Sequence, residues 1–194
     1  MLVKTLSTCL ARLCLLGAAL VGALSCTVPP WDRMVVAEKA DAYEITVPVS
    51  HVQMSVPKAG FVPVRNPPGA ADSARYFYLA DQTNHIYISG WFEPASRFPG
   101  VKSLWSEQVQ DLHRRGLPQP QSSAFLTLGE WDAVSYELVV PELSGHDCHI
   151  RAHHLQGETW IDLHLSALAA NSCEEGRAPL AALLKSIRIT EKSS

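Results

Sequence analysis

DCHIRAHHLQGETWIDLHLS, residues Asp147–Ser166, decides how this chain folds. Its apolar and thiol residues fall at alternate positions on both sides of a central Gln156-Gly157, and strict alternation marks a strand with one buried face. A two-residue turn at Gln156-Gly157 makes the stretch one β-hairpin, with glycine supplying the positive φ such turns need. One face then pairs Cys148 with Leu165, Ile150 with Leu163 and Ala152 with Ile161. The other pairs His149 with His164, Arg151 with Asp162 and His153 with Trp160. The first face is expected to point inward and the second outward. A slip of one residue would turn Ile150, Ile161 and Leu163 to solvent, so the pattern resists it.

Around the hairpin the alternation continues. Tyr43–Val47, Val52–Val56, Ala124–Leu128 and Trp131–Val140 read as strands, and Arg75–Ala80 with His85–Glu93 as a second hairpin turning at Asp81–Asn84. In the last of these Ile86, Ile88 and Phe92 share one face while Tyr87 and Trp91 share the other. A strand apolar on both sides belongs in the middle of a covered sheet. Residues 65–74, RNPPGAADSA, and 94–102 read as loops.

Ser103 is the expected cap of a helix running to Arg115, with Trp105, Val109 and Leu112 at helical spacing and Gly116 and Pro118 as stop signals. Ser172 and Glu175 have capping-box spacing, Pro179 suits a first turn, and Leu180, Leu183, Leu184 and Ile187 give the final helix its apolar face. Residues 187–190 read as a last short strand. The pattern as a whole is α+β, an antiparallel β-sheet packed with helices, in one domain over residues 42–191.

The strand YISGWFE (87–93), the ending WIDLHLS (160–166) and the helix running into LLKSIRI (183–189) resemble, in pattern and order, the PsbP-like fold. Its members include photosystem II extrinsic subunits, a nuclear-import accessory protein and small bacterial lipoproteins. The resemblance spans roughly residues 43–189 and implies an α/β/α sandwich serving as an accessory or binding module. It brings no diagnostic catalytic motif, and fold alone does not fix an activity.

The N-terminus reads as a targeting segment over residues 1–25. Lys4 and Arg12 precede the apolar run Leu13–Leu24, which is shorter than the ~20 residues a bilayer-spanning helix needs. Ala23-Leu24-Ser25 suits an ordinary secretory cleavage. Followed by Cys26 it also resembles the bacterial lipobox, departing from it in having Ala23 where leucine is usual. Cysteine arithmetic favours the second route. Removing Cys9 and Cys14 with the signal leaves Cys26, Cys148 and Cys173, an odd number for an oxidising compartment. Acylation of Cys26, with palmitate or a similar chain, accounts for the odd thiol and leaves Cys148 and Cys173 to form a disulfide. Residues 26–41, with Pro29-Pro30, then form a tether. Thr27 after the cysteine, where an inner-membrane lipoprotein has Asp, points to the outer membrane, with the domain facing the periplasm. Ordinary secretion would instead give a soluble periplasmic protein.

Charge narrows the partners. The net charge of −3 becomes −5 without the first 25 residues, which carry two cations and no acid. A mildly acidic chain has no electrostatic case for nucleic acid or for an anionic lipid surface. The partners expected are the membrane, through the lipid anchor, and an envelope protein.

Five of the eight histidines lie between His146 and His164. Facing imidazoles at His149 and His164, with His153 swinging in, would make a zinc site, the alternative to a chain without cofactor. Two ligands are fewer than zinc normally takes from protein, so the polar strand-face reading is preferred. Cys148 and Cys173 lack the CxxC spacing of redox pairs. No GxSxG, HExxH, P-loop or carboxylate pair supports hydrolysis. Trp91, Trp131 and Trp160 are candidates to line a groove, or else packing.

Overall fold

The computed structural model describes residues 31, 33–64, 76–139 and 145–192. The targeting segment, Cys26 and the loop expected over 65–74 lie outside them. Eleven strands fall into two antiparallel sheets among the described residues. The smaller runs β1 (Val35–Glu38), β2 (Ala42–Thr46), β3 (Val52–Pro57), β11 (Arg188–Glu191). The larger runs β4 (Val62–Pro63), β5 (Phe77–Asp81), β6 (Ile86–Pro94), β10 (Thr159–Ala169), β9 (His146–Gln156), β8 (Trp131–Leu138), β7 (Pro120–Leu128). Strand β1 lies within residues 26–41, so the folded unit begins earlier than the expected tether allowed: Val35–Glu38 pair with Tyr43–Thr46.

The hairpin of β9 and β10 sits at the centre of the large sheet, but its register differs from the expected one. Gln156 faces Thr159, so the turn is Gly157-Glu158. Gly157, with φ +56°, takes the first central position, where a type II′ turn wants glycine. Ile150 therefore faces Leu165 instead of Leu163, His149 faces Ser166, and Arg151 faces His164. The shift is two residues per strand partner. A two-residue shift returns every side chain to its original face, so Cys148, Ile150, Ala152, Ile161, Leu163 and Leu165 are all buried inward as the alternation requires.

These residues pack against Tyr43, Ile45, Met54 and Val56 of the small sheet and Leu180 and Leu184 of helix α2 (Cys173–Ser186) in one apolar core. Burial of this kind contributes roughly 1.5–3 kcal/mol per large side chain. Gly90 of β6 permits the close approach of β10: a Cβ there would stand 2.5 Å from the Asp162 carbonyl oxygen and 2.6 Å from a Leu163 methyl.

Helix α2 starts where the capping box indicates, with the Ser172 hydroxyl accepting from the Glu175 backbone N–H. Pro179 is inside the helix instead of in its first turn. Gly176 has a packing reason, since a Cβ on it would meet Cys148 Sγ at 2.9 Å. That contact sits beside a disulfide between Cys148 and Cys173, whose Cα atoms are 5.3 Å apart. The bond ties the start of β9 to the first residue of α2.

Helix α1 (Val101–Arg114) begins two residues before the expected Ser103 cap. Gly100 takes the N-cap with φ +95°, a conformation glycine adopts without penalty. It lies on the opposite face of the large sheet from α2, and none of its residues is fully buried. No described helix is long and apolar enough to cross a membrane.

Candidate functional site

The outward-pointing residues of the central hairpin were expected to form a polar strand face. It is polar and covered. Alternation fixes which side a residue points to and says nothing of what lies above it, and here α1 and the turn around Phe98 lie above. Asp162 has no exposed surface, and His149 and His153 are buried.

Beneath the helix these side chains bond to one another. Arg151 grips Asp162 with two parallel bonds, Nε to Oδ1 at 3.1 Å and Nη2 to Oδ2 at 2.8 Å. Its remaining nitrogen Nη1 donates to the Gln108 side chain of α1. Gln108 in turn donates to the Tyr136 hydroxyl at 3.1 Å, and that hydroxyl is 3.2 Å from His164 Nε2. His164 Nε2 is 3.0 Å from His149 Nδ1, the two rings lying 7° from parallel. His149 Nε2 stands 3.1 Å from Asp147 Oδ1 without hydrogen-bond alignment. Trp105 of α1 packs on Tyr136 at 4.8 Å between ring centres, and Phe98 packs on Trp160 at 5.2 Å. Arg151 also lies over the Trp91 ring at 5.5 Å, a cation–π contact.

Burial sets the protonation states. It pushes His164 down to about 3, helped by His149 and Arg151 nearby. His153 is likewise pushed down to about 3 by burial and by Arg151. Tyr136 is pushed up to about 12, chiefly by burial. Burial also raises Asp162, against the pull of Arg151. At neutral pH, then, His153 and His164 are neutral, Tyr136 keeps its proton, and Arg151 and Asp162 offset each other.

A pH dependence follows from the two histidines. Their unfolded pKa is about 6.5, above the folded value of about 3, so the unfolded chain binds more protons between these limits. Their contribution is complete above about pH 6.5 and is lost as the pH falls toward 3. Asp162, held up in the fold, works in the opposite sense under acid. Urea unfolding is expected to show a loss approaching about 4 kcal/mol between pH 7 and pH 5 from the two histidines, lessened by Asp162, with a shallower slope in His164→Gln.

The structure brings together some of the predicted site residues. His149 and His164 are in contact, while His153 Nδ1 receives the Trp160 N–H at 3.4 Å and lies 3.6 Å from Asp162. Among the described residues no three His, Cys, Asp or Glu side chains are grouped to hold a metal ion. The three tryptophans do not share a groove. Trp131 belongs to the inner core, whereas Trp91 and Trp160 stand on the outer face.

Sequence reasoning missed an open cleft of about 510 Å³ between the start of α1 and the β7–β8 hairpin. Phe98, Val101, Phe125, Leu126 and Ala133 line it, with Lys102 and Asp132 among its polar groups. Asp132 accepts from the Thr127 hydroxyl at 3.3 Å. The alternating Ala124–Leu128 held the signal: Phe125 is half exposed on a strand that has, among the described residues, no strand beyond it.

Two antiparallel sheets around one core, with a helix on each side of the larger sheet, constitute the PsbP-like fold. The solution structure of cyanobacterial PsbP (CyanoP) from Synechocystis sp. PCC 6803 matches over 79% of this chain and 95% of its own, with TM-score 0.51 and 11% identity. A crystal structure from Bacteroides thetaiotaomicron VPI-5482 matches less well, at TM-score 0.41 and 10% identity over 74% of this chain and 46% of its own. No protein-family model matches the sequence, and neither does any curated protein.

Proposed function

We propose that this chain is a non-catalytic accessory or binding module of a bacterial envelope, anchored through an acylated Cys26 and displayed from the outer membrane into the periplasm. The observation that carries the reading is where its polar groups are spent. Arg151, Asp162, Gln108, Tyr136 and His164 are occupied with one another beneath α1, whereas the accessible concavity beside them is lined mainly by apolar side chains. Binding sites are built in this way, apolar with a few polar groups for orientation. Catalysis asks for a nucleophile paired with a base, whereas the cleft's Asp132 is engaged by the Thr127 hydroxyl. The PsbP-like fold agrees with such a role. The occupant of the site is an envelope protein, with no cofactor required.

The anchor is tested by growth with a labelled fatty acid. Label is expected on the wild type and absent from Cys26→Ser; absence from both would establish ordinary secretion. The module is tested by cross-linking in native envelope from a photo-reactive residue at Phe125, where a specific adduct is expected. Stoichiometric zinc that is lost in His149→Ala/His164→Ala would overturn the reading in favour of a metal-binding protein.

A further inference from the structure

The two helices are held to the sheet in different ways. α2 buries Cys173, Gly176, Leu180 and Leu184 and is tied to β9 by the disulfide. α1 has no buried residue. Among the described residues its hydrogen bonds to the sheet come from one side chain, Gln108, which joins Arg151 and Tyr136. Trp105 adds its packing on Tyr136. Both ends of α1 turn on glycines with positive φ, Gly100 at +95° and Gly116 at +65°, where an added Cβ would meet nothing within 4 Å. Terminal positions of this kind can absorb the backbone change when a segment moves.

Gln108 also fixes the direction of the bonds beneath it. Its carbonyl accepts from Arg151, so its amide nitrogen meets the Tyr136 hydroxyl and donates to it. The hydroxyl's own proton then goes to His164 Nε2, at 3.2 Å. That nitrogen therefore carries no hydrogen, and the second group on it, His149 Nδ1 at 3.0 Å, donates as well. A proton on His164 Nε2 breaks this arrangement. The Tyr136 hydroxyl loses its acceptor, two N–H groups meet between the imidazoles, and a new positive charge faces Arg151 across the strands. The groups around the pair are Asp147, 3.1 Å from His149, Arg151 with its partner Asp162, Tyr136, and Ser89 opposite His164 on β6. α1 brings no charge to them: Lys102, Glu107 and His113 are exposed, and Asp111 is bonded to Arg114 and Arg115.

We infer that α1 is an acid-released cover: protonation of His164 undoes the Gln108 tether, and the helix swings away on its glycine ends while the sheets stay folded. A lightly held element biased by buried histidines is what a pH switch requires. His164 is held down at about 3 beneath the helix and returns toward about 6.5 once water reaches it. The open population should therefore rise about thirtyfold from pH 7.5 to pH 5. Val101, Lys102 and Ser103 at the start of α1 form one wall of the cleft of about 510 Å³, so the movement opens that cleft. Its meaning for binding rests on the role proposed above; the movement itself does not.

The test is amide hydrogen exchange on the full chain, corrected for the intrinsic effect of pH on exchange. Peptides from residues 101–114 are expected to exchange faster than those of β9 and β10 at both pH values, with their opening about thirtyfold greater at pH 5 than at pH 7.5. His164→Gln should keep the circular dichroism of the wild type and lose most of that rise. Gln108→Met leaves the histidines in place and should free α1 by about tenfold at pH 7.5, the effect of losing a hydrogen bond, with the strands unchanged. Should His164→Gln fail to fold, the wild-type comparison and Gln108→Met decide the matter. Exchange of α1 at the same rate as β9 and β10 would mean that acid unfolds the whole domain, and would overturn the inference. An undiminished rise in His164→Gln, or an α1 unmoved by Gln108→Met, would do the same.

Discussion

Arg151→Ala is expected to destabilise the fold by about 3–5 kcal/mol at neutral pH. Asp162 has no exposed surface, and both its oxygens are held by Arg151. Removing the guanidinium leaves a buried carboxylate without a counter-charge and leaves the Gln108 carbonyl without its donor. The carboxyl answers by taking up a proton, its pKa already raised by burial in the intact fold. The cost of the substitution is therefore larger at pH 7 than at pH 5, the reverse of the wild type's own acid sensitivity. Replacing both partners by leucine should recover most of the loss, because apolar isosteres remove the desolvation cost along with the attraction. Chemical denaturation of the two variants at two pH values checks each part. A single-variant cost below about 1 kcal/mol, the range of an exposed pair, would mean that water reaches Asp162.

Cys173→Ser is expected to cost about 3.5 kcal/mol, the chain-entropy value for releasing a loop closed at a separation of 25 residues. The bond joins β9 to the start of α2, and both ends are buried. Gly176 packs against the same sulfur, so the variant also loosens the seat of the first helical turn. For a domain of this size the melting temperature should fall by about 7–14 °C, taking 2–4 °C per kcal/mol. Mass spectrometry of unreduced peptides should find the two cysteines linked. Free thiols at both positions in protein isolated without reductant would remove the basis for this estimate, and with it the cysteine arithmetic that singles out Cys26.

What could be read in advance was decided by local periodicity. The inward residues of β9 and β10 are those that alternation selects, since facing is a property of single strands. The hairpin register was not legible, because turns at Gln156-Gly157 and Gly157-Glu158 both use Gly157 and give the same two faces. The position of α1 was invisible for a different reason: no local pattern says which face of a sheet a distant helix will cover. The covered polar network followed from that gap. One trace of it was in the sequence, where Tyr87 and Trp91 make both faces of β6 partly apolar and so require a cover on the outer side. Strand β1 was missed because VVAE is short and follows a proline-containing stretch. The cleft went unread because it lies between elements far apart in the chain.

The small sheet has the order β1, β2, β3, β11, joining the first three strands of the described chain to its last. Strand β11 pairs with β3, and Lys192 just beyond it reaches back to the carbonyl oxygens of Val47 and Ser50. A chain emerging N-terminus first, from a ribosome or through a pore, can assemble β1 to β3 early. It cannot finish the layer that covers the core until residues 188–192 are free. Such long-range closure is slow compared with local pairing. The small sheet thus stays open, and the chain threadable, until β11 has passed and can pair with β3.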